Sequence, residues 1–474
     1  MKASSKGATN GATNEAMARP LTAPPSAPRT VSPTGSLTGS MRRRVTSLST
    51  ASCFGVLSRF SLLFSLLTLL AVAGCVMPPL QPLGAERTAG DLEVDEAALW
   101  KQTREVQFEI ESSGLVLEDE TLDAYLASVL QRVTPDELRT AGLEPRVQVI
   151  SDVRIHGYSF ANGVIYLHTA LLSRMKDETQ LATVLTRELA HVVHRHTLRL
   201  KRDEKARADV MAWIGVGASL SQYGGTANLL AQAFSISSAM GFPYALEVTA
   251  DQKGLALLAA AGYDVREAPD FFQGTVDYLA EIHTQGPAAW LPFAAPLPMT
   301  ARIAGYRKII AADYRNPDPG QLRPPIAAPE RFRRQLQAAT LRQAELELSA
   351  GLFVSAEKTA RLSIEAAPRD PDCWLLLGRA LQGQRNQPIK GRPVPPIGSL
   401  RETYGQVLEL DRRQPAALRE LGLTYYRSTA QRRPRESSAQ ALDYFRRYLA
   451  VVPGAADADY IQAYVSELEA ELAE

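Results

Sequence analysis

Apolar residues recur at helical spacing from Asp91 to about Arg132, including Leu99, Val106, Ile110 and the run Tyr125 to Leu130, and this predicts helices. Two short β-branched runs follow, Val147 to Ile150 and Val164 to Leu167, each flanked by Gly, Asn or Asp, and these predict strands. A long helical pattern then covers Glu178 to Arg199, with further helices expected around Lys205 to Ala218, Ala227 to Met240 and Leu246 to Ala261. Past a proline-rich break around Pro317 to Pro329 the chain turns helical and repeats itself. Trp374-x-x-Leu377-Gly378-x-x-Leu381 returns as Leu418-x-x-Leu421-Gly422-x-x-Tyr425, and both Ala356 and Ala441 stand twelve residues before a proline, Pro368 and Pro453. Such self-similarity predicts a solenoid of paired helices, with small residues that let the two helices approach and an aromatic such as Phe445 filling the groove. The long loops Gly383 to Gly398 and Arg427 to Ser438 make the array irregular, and a helix from Asp459 to Leu472 caps it.

At the other end, residues 1–40 are rich in Ser, Thr, Ala, Gly and Pro without apolar periodicity, and read as a disordered leader or a start placed too early, since Met41 follows. From Met41, Arg42, Arg43 and Arg44 precede an apolar run from Phe60 to Ala73, too short for an ordinary spanning helix and laid out as a secretory signal peptide. Its end, Val72-Ala73-Gly74-Cys75, resembles a bacterial lipobox, which implies lipidation of Cys75; a plain anchor or an uncleaved helix is the alternative. The absence of Asp at Val76 favours the outer membrane. The expected organisation is therefore a leader at 1–40, a lipoprotein signal at 41–74, a tether at 75–90, a first domain at 91–325 and helical repeats at 326–474.

Composition narrows this little further. The 474 residues are 45% hydrophobic, ordinary for globular domains, and the net charge of +1 argues against nucleic acid as a partner. With Cys53 in the signal and Cys75 lipidated, only Cys373 remains as a thiol, which excludes a disulfide framework.

The candidate chemistry lies on the long helix, in Arg187-Glu188-Leu189-Ala190-His191. In the pattern His-Glu-x-x-His, two histidines one turn apart share a zinc ion and the Glu serves as general base for its bound water. Here the first position is Arg187, which is always protonated and has no lone pair for a metal. Around this motif, His156-Gly157-Tyr158-Ser159-Phe160-Ala161-Asn162-Gly163-Val164-Ile165-Tyr166-Leu167, the stretch Leu181 to His196 and Glu247-Val248-Thr249-Ala250-Asp251 stand in order and at suitable separations. Together, over about 230 residues, they resemble metallopeptidase family 48.

That resemblance implies Glu188 as catalytic base, His191 and Glu247 as zinc ligands, and Asp251 as the carboxylate that orients a ligand histidine. With Arg187 replacing the first ligand, zinc, the family's cofactor, is expected to bind weakly or not at all. One alternative places the Arg187 guanidinium in the metal's space, hydrogen-bonded to Asp251 or Glu247; another points it into solvent; a third recruits His194 as substitute ligand. His196 is expected to hydrogen-bond near the helix end, and His156 to be structural, while His168 and His283 have no such context. A second departure is Pro296-Leu297-Pro298-Met299-Thr300-Ala301-Arg302-Ile303, where many members carry a His before the first proline. The segment Gly163, Val164, Ile165, Tyr166 and Leu167 is the expected edge strand for substrate.

The helical repeats resemble tetratricopeptide repeats. The expected fold class is α+β: a mainly helical, gluzincin-type metallopeptidase domain with a small β-sheet, followed by an α-solenoid of tetratricopeptide-like helix pairs. The expected function is that of an envelope lipoprotein with a degenerate zinc-endopeptidase site, a chaperone or adaptor in outer-membrane protein quality control. Its partners would be unfolded or assembling envelope proteins, held by the repeats and the edge strand, with the membrane reached through the lipid anchor. The alternatives are a working zinc metalloendopeptidase with an altered ligand set, and a scaffold acting through its repeats alone.

Overall fold

The computed structural model describes residues 80–84, 92–206, 225–237, 241–282, 299–315, 329–389, 391–427 and 434–473. The signal-like segment with Cys75, His283, Pro296 to Pro298 and most of the helix expected from Lys205 to Ala218 lie outside them. No described helix is long and apolar enough to cross a membrane.

Val94–Ser112 (α1) buries Leu99, Val106 and Ile110 on one helical face. After the two-residue strand Val116–Leu117 (β1) comes Glu120–Val133 (α2), started by Asp119, whose carboxylate accepts the Leu122 N–H at 2.8 Å. Then follow Asp136–Thr140 (α3), Arg146–Ile150 (β2), Gly157–Ser159 (β3) and Val164–His168 (β4). The sheet runs β1-β2-β4-β3, with β2 and β4 parallel and the outer pairs antiparallel. Side chains alternate across it: Val149, Ile165 and Leu167 join the core under α2, while Ile150, Val164 and Tyr166 pack with α1 on the other face.

β4 is therefore an interior strand, buried at every residue and hydrogen-bonded on both sides. This corrects the expectation that Gly163 to Leu167 form an edge for substrate. A strand apolar on both faces belongs in the middle of a sheet, and the edge nearest the helix bearing the motif is β3.

Thr169–Leu172 (α4) leads to Glu178–Val193 (α5), capped by Asp177, which accepts the Gln180 N–H at 3.0 Å. The single helix expected to Arg199 is in fact broken after α5, and His196–Ala206 (α6) starts anew. At the break Arg195 has φ 53°, the one left-handed non-glycine among the described residues. Its buried guanidinium is held by the carboxylate of Glu96 on α1, with Nε 2.8 Å from Oε1, which fixes the turn. Gly225–Ser235 (α7), Tyr244–Ala260 (α8), Ala268–Ile282 (α9) and Met299–Asp313 (α10) complete this part.

The C-terminal helices are Pro329–Gln335 (α11), Gln337–Ser349 (α12), Phe353–Ala366 (α13), Pro371–Asn386 (α14), Ile397–Leu410 (α15), Pro415–Tyr426 (α16), Arg435–Val451 (α17) and Ala458–Ala473 (α18). From α12 onward each packs on the next. The glycines of the repeated motif explain the close approach: a Cβ on Gly378 would lie 2.5 Å from the Tyr404 ring, and one on Gly422 2.5 Å from the Phe445 ring. Gly422→Ala is accordingly expected to destabilise by about 1–3 kcal/mol through overpacking, despite alanine's better helix propensity. Gly405→Ala, with nothing within 4 Å of its added methyl, should stabilise by about 0.5–1 kcal/mol in the same denaturant titration.

Phe332, Leu336 and Ala339 sit in the core of the first part, so the array begins inside that core. A buried polar knot strengthens the join. Glu347 on α12, with no exposure, accepts from Arg174 Nη2 at 2.6 Å, Ser355 at 2.9 Å, Gln343 at 3.1 Å, Tyr278 at 3.1 Å and Thr359 at 2.6 Å. The Arg174 guanidinium also lies over the Tyr278 ring, 4.3 Å from its centroid.

Candidate functional site

Two helices build the centre. α5 is buried almost all round and carries Arg187, Glu188 and His191 within little more than a turn. α8 lies against it because Gly254 has no side chain: a Cβ there would be 3.1 Å from both the N and Cα of Arg187. Asp251 and Glu247, one and two turns earlier on α8, face the same way and reach α5.

Arg187 occupies the middle. Its Nη1 donates to Glu188 Oε1 at 2.6 Å, its Nη2 to Glu247 Oε2, and its Nε lies 3.3 Å from Asp251 Oδ1. The side chain is 15% exposed, so the alternative that points it into solvent is excluded. A second guanidinium, Arg302 on α10, donates from Nη2 to Asp251 Oδ1 at 2.6 Å, and Tyr306 Oη donates to the same oxygen at 3.0 Å. Ser159 Oγ on β3 donates to Glu188 Oε2 at 2.8 Å, and the Phe242 N–H to Glu247 Oε1 at 2.9 Å. Three carboxylates thus face two permanent cations in a largely buried cluster.

Burial works against the charge on Glu247, yet Arg187 and then Arg302 outweigh it and hold this carboxyl below the usual range. Burial likewise opposes the Arg187 charge, and Glu247, Glu188 and Asp251 overcome it, so the guanidinium stays protonated. His191 is pushed well below the ordinary histidine range by burial and then by Arg187, and is neutral. Its Nδ1 lies 2.9 Å from His196 Nδ1, its ring stacks on Phe242 with centroids 4.4 Å apart, and its buried Nε2 has no hydrogen-bond partner.

The structure thus brings Arg187, Glu188, Glu247 and Asp251 together, with His191 alongside. Two expectations are corrected. Asp251 binds guanidinium and phenol groups where the resemblance implied a histidine, because Arg302, Tyr306 and Arg187 converge on it. His194 is not assembled as a substitute ligand: it ends α5, its ring stacks near His196 at 5.8 Å, and no group of three or more His, Cys, Asp or Glu among the described residues is arranged to hold a metal ion. Ser159, Phe242, Arg302 and Tyr306 were missed as site residues. Ser159 and Arg302 lie inside the quoted motif segments, but nothing local says that they meet the cluster.

His156, partly buried, packs its ring against those of Tyr158 and Phe234. His168 has no exposure, and its Nδ1 lies 3.1 Å from the Arg154 carbonyl, with Asp152 3.8 Å away. Burial pushes His168 down to about 4 and His156 to about 3. A depressed folded pKa means that the unfolded chain takes up the proton first. The contribution of these two histidines to stability is therefore fully present above about pH 6.5 and is lost as the pH drops toward 4. His168 should account for on the order of 2–3 kcal/mol of that loss, and a His168→Asn chain, unable to titrate there, should show a flatter dependence of denaturant midpoint on pH.

Comparison with known proteins places this geometry. Residues 120–319 match the profile of Peptidase family M48. A beta-barrel assembly-enhancing protease of Yersinia pestis is 30% identical over 135 residues, 27% of this chain and 28% of that protein. Its Escherichia coli (strain K12) namesake is 26% identical over 175 residues, 36% of each chain, and the mitochondrial metalloendopeptidase OMA1 of Arabidopsis thaliana is 27% identical over 132 residues, 28% of this chain and 26% of that one. The matches span about a third or less of these relatives. The zinc that the family uses does not fit the side chains as they stand, since a guanidinium lies among Glu188, Glu247 and Asp251. Residues 120–319, with the paired helices and the acidic residues they bring together, therefore carry a domain of Peptidase family M48.

Proposed function

We propose that this chain is an envelope member of the family whose hydrolytic centre has been replaced by an internal ion-pair cluster, and that it acts by binding unfolded or assembling outer-membrane proteins as a chaperone or adaptor. The observation that carries the reading is the position of Arg187. Glu188, which would serve as base in an active relative, is here tied to Arg187 and Ser159. Glu247, which would be a ligand, is tied to the same guanidinium. A metal entering the cluster would have to displace a cation held by three carboxylates and would meet its repulsion if it stayed.

The names of the bacterial relatives support the setting, since they are called beta-barrel assembly-enhancing proteases. The sequentially packed helices with glycine-seated aromatics support a tetratricopeptide-like array as one binding surface. Lipidation at Cys75 is the anchor that would hold the protein at the periplasmic face of the outer membrane.

Elemental analysis tests the reading. Purified protein lacking the lipid anchor is expected to contain substoichiometric zinc and to leave unfolded casein uncut, while the Arg187→His variant is expected to take up zinc stoichiometrically through His191, Glu247 and the new histidine. Stoichiometric zinc in the unaltered protein would overturn it. A second reading, a zinc endopeptidase with other ligands, draws only on the unpartnered Nε2 of His191, and the same measurement decides between them.

A further inference from the structure

The edge of the sheet away from the Arg187 cluster is left open, for a reason visible in the register. β1 pairs Leu117 with Val149 and Val116 with Ile150. Continued by two residues, that register would set Asp119 opposite Val147. The chain leaves the sheet there, because Asp119 is the N-cap of α2. In a parallel ladder the backbone groups of successive residues point to alternate sides. Arg146 N–H donates to Gly163 on the β4 side at 3.3 Å, and Ser151 N–H donates to Leu115 on the β1 side at 2.8 Å. Val147, in step with Ser151, therefore turns its N–H and C=O to the open edge.

A groove of about 950 Å³ lies beside it, among β1, β2, α2 and the ends of α1 and α3. Val116, Leu130, Leu143 and Val147 supply its apolar lining. Its charged residues are Glu111, Glu118, Asp123 and Glu144 against Arg139 and Arg146, an acidic excess. Arg139 is engaged locally, donating to the Gln131 carbonyl at 2.8 Å and lying 3.7 Å from Asp136. Glu118, Asp123 and Glu144 have no Lys or Arg within ion-pair distance among the described residues. Burial, and then the charges of Asp119 and Glu118, raise the Asp123 carboxyl above its usual range, as expected where a cation is wanting.

We propose that this groove takes an extended, lysine- or arginine-bearing segment of a non-native polypeptide as an added strand, in line with β1 and hydrogen-bonded to Val147. Backbone pairing to an open edge supplies affinity for any extended chain, and the acidic rim selects basic side chains at alternate positions. The inference rests on different residues from the Arg187 cluster and holds whether or not that cluster binds metal.

The test uses two fluorescein-labelled nonapeptides, one alternating Lys with Val and one alternating Glu with Val, titrated into the purified protein by fluorescence anisotropy. The lysine peptide is expected to bind at least about tenfold tighter than the glutamate peptide, less so at high salt. Val147→Pro removes the edge donor without touching a ladder bond and is expected to weaken the lysine peptide by about tenfold or more. The Glu118→Gln/Asp123→Asn double variant should weaken it severalfold and reduce the salt dependence, and it decides the question if the proline variant misfolds. Hydrogen exchange with the lysine peptide bound should slow at Val147. Equal binding of the two peptides, no binding of either, unaltered binding by both variants, or protection confined to Gly157–Ser159 would each overturn the proposal.

Discussion

Replacing Arg187 by alanine is expected to destabilise the protein by about 3–5 kcal/mol, the usual cost of removing one partner from a buried ion pair. In a chain of this size that is a fall of about 10 °C in Tm. The cost follows from what is left behind. Glu188 keeps Ser159 and Glu247 keeps the Phe242 N–H, but both lose the guanidinium that offsets their burial. Asp251 retains Arg302 and Tyr306 and suffers least. Arg187→His should be comparably unstable without metal and regain stability on addition of zinc, because a ligand bound only by the folded state stabilises it by mass action. Arg187→Ala melting like the unaltered protein would show that the cluster does not depend on its central cation. Recovery of the histidine variant by zinc, without recovery of the alanine variant, would show that the two devices are interchangeable fillings of one site.

The second large effect is expected far from that cluster, at Glu347. Its carboxylate gathers Arg174, Tyr278, Gln343, Ser355 and Thr359, and is fully buried where the first part meets the C-terminal helices. Glu347→Leu takes the carboxylate away from the Arg174 guanidinium, whose Nη2 keeps the neutral Ser355 and Thr359 hydroxyls at 3.0 and 2.7 Å, and should again cost about 3–5 kcal/mol in a denaturant titration. Glu347→Gln keeps one acceptor oxygen and should cost about 1–3 kcal/mol. The Arg174→Leu/Glu347→Leu double variant is the more searching measurement: with no charge left buried, it should be more stable than the Glu347→Leu single variant. If the double variant is the less stable, the knot is held by its hydroxyl and amide bonds and not by the ion pair.

Much of this was legible in the chain. The strands at Val147 to Ile150 and Val164 to Leu167 correspond to β2 and β4 within a residue, because β-branched runs bounded by turn residues have few other uses. The glycine-aromatic repeat marked where helices would touch, since a missing Cβ matters only at a close approach. The break at Arg195 was not legible: nothing in Val192-Val193-His194-Arg195-His196 interrupts a helical pattern, and the turn is fixed by Glu96, 99 residues away in sequence. The helix expected to run to Arg199 therefore ends early, and His196 comes back against His191.

The centre divides in the same way. The sequence by itself determined that Arg187 stands one turn before His191 on a buried helix with Glu188 beside it, because that much follows from spacing on one element. It also determined that no zinc ligand could be supplied at position 187, because a guanidinium has no lone pair to give. Only the tertiary structure decided that Arg187 turns inward to three carboxylates, that Arg302 and Tyr306 share Asp251, and that β4 is interior while β2 lies open beside Val147. Each of these depends on which distant segments lie side by side, and a local pattern carries the hydrophobicity that drives segments together without the register at which they meet.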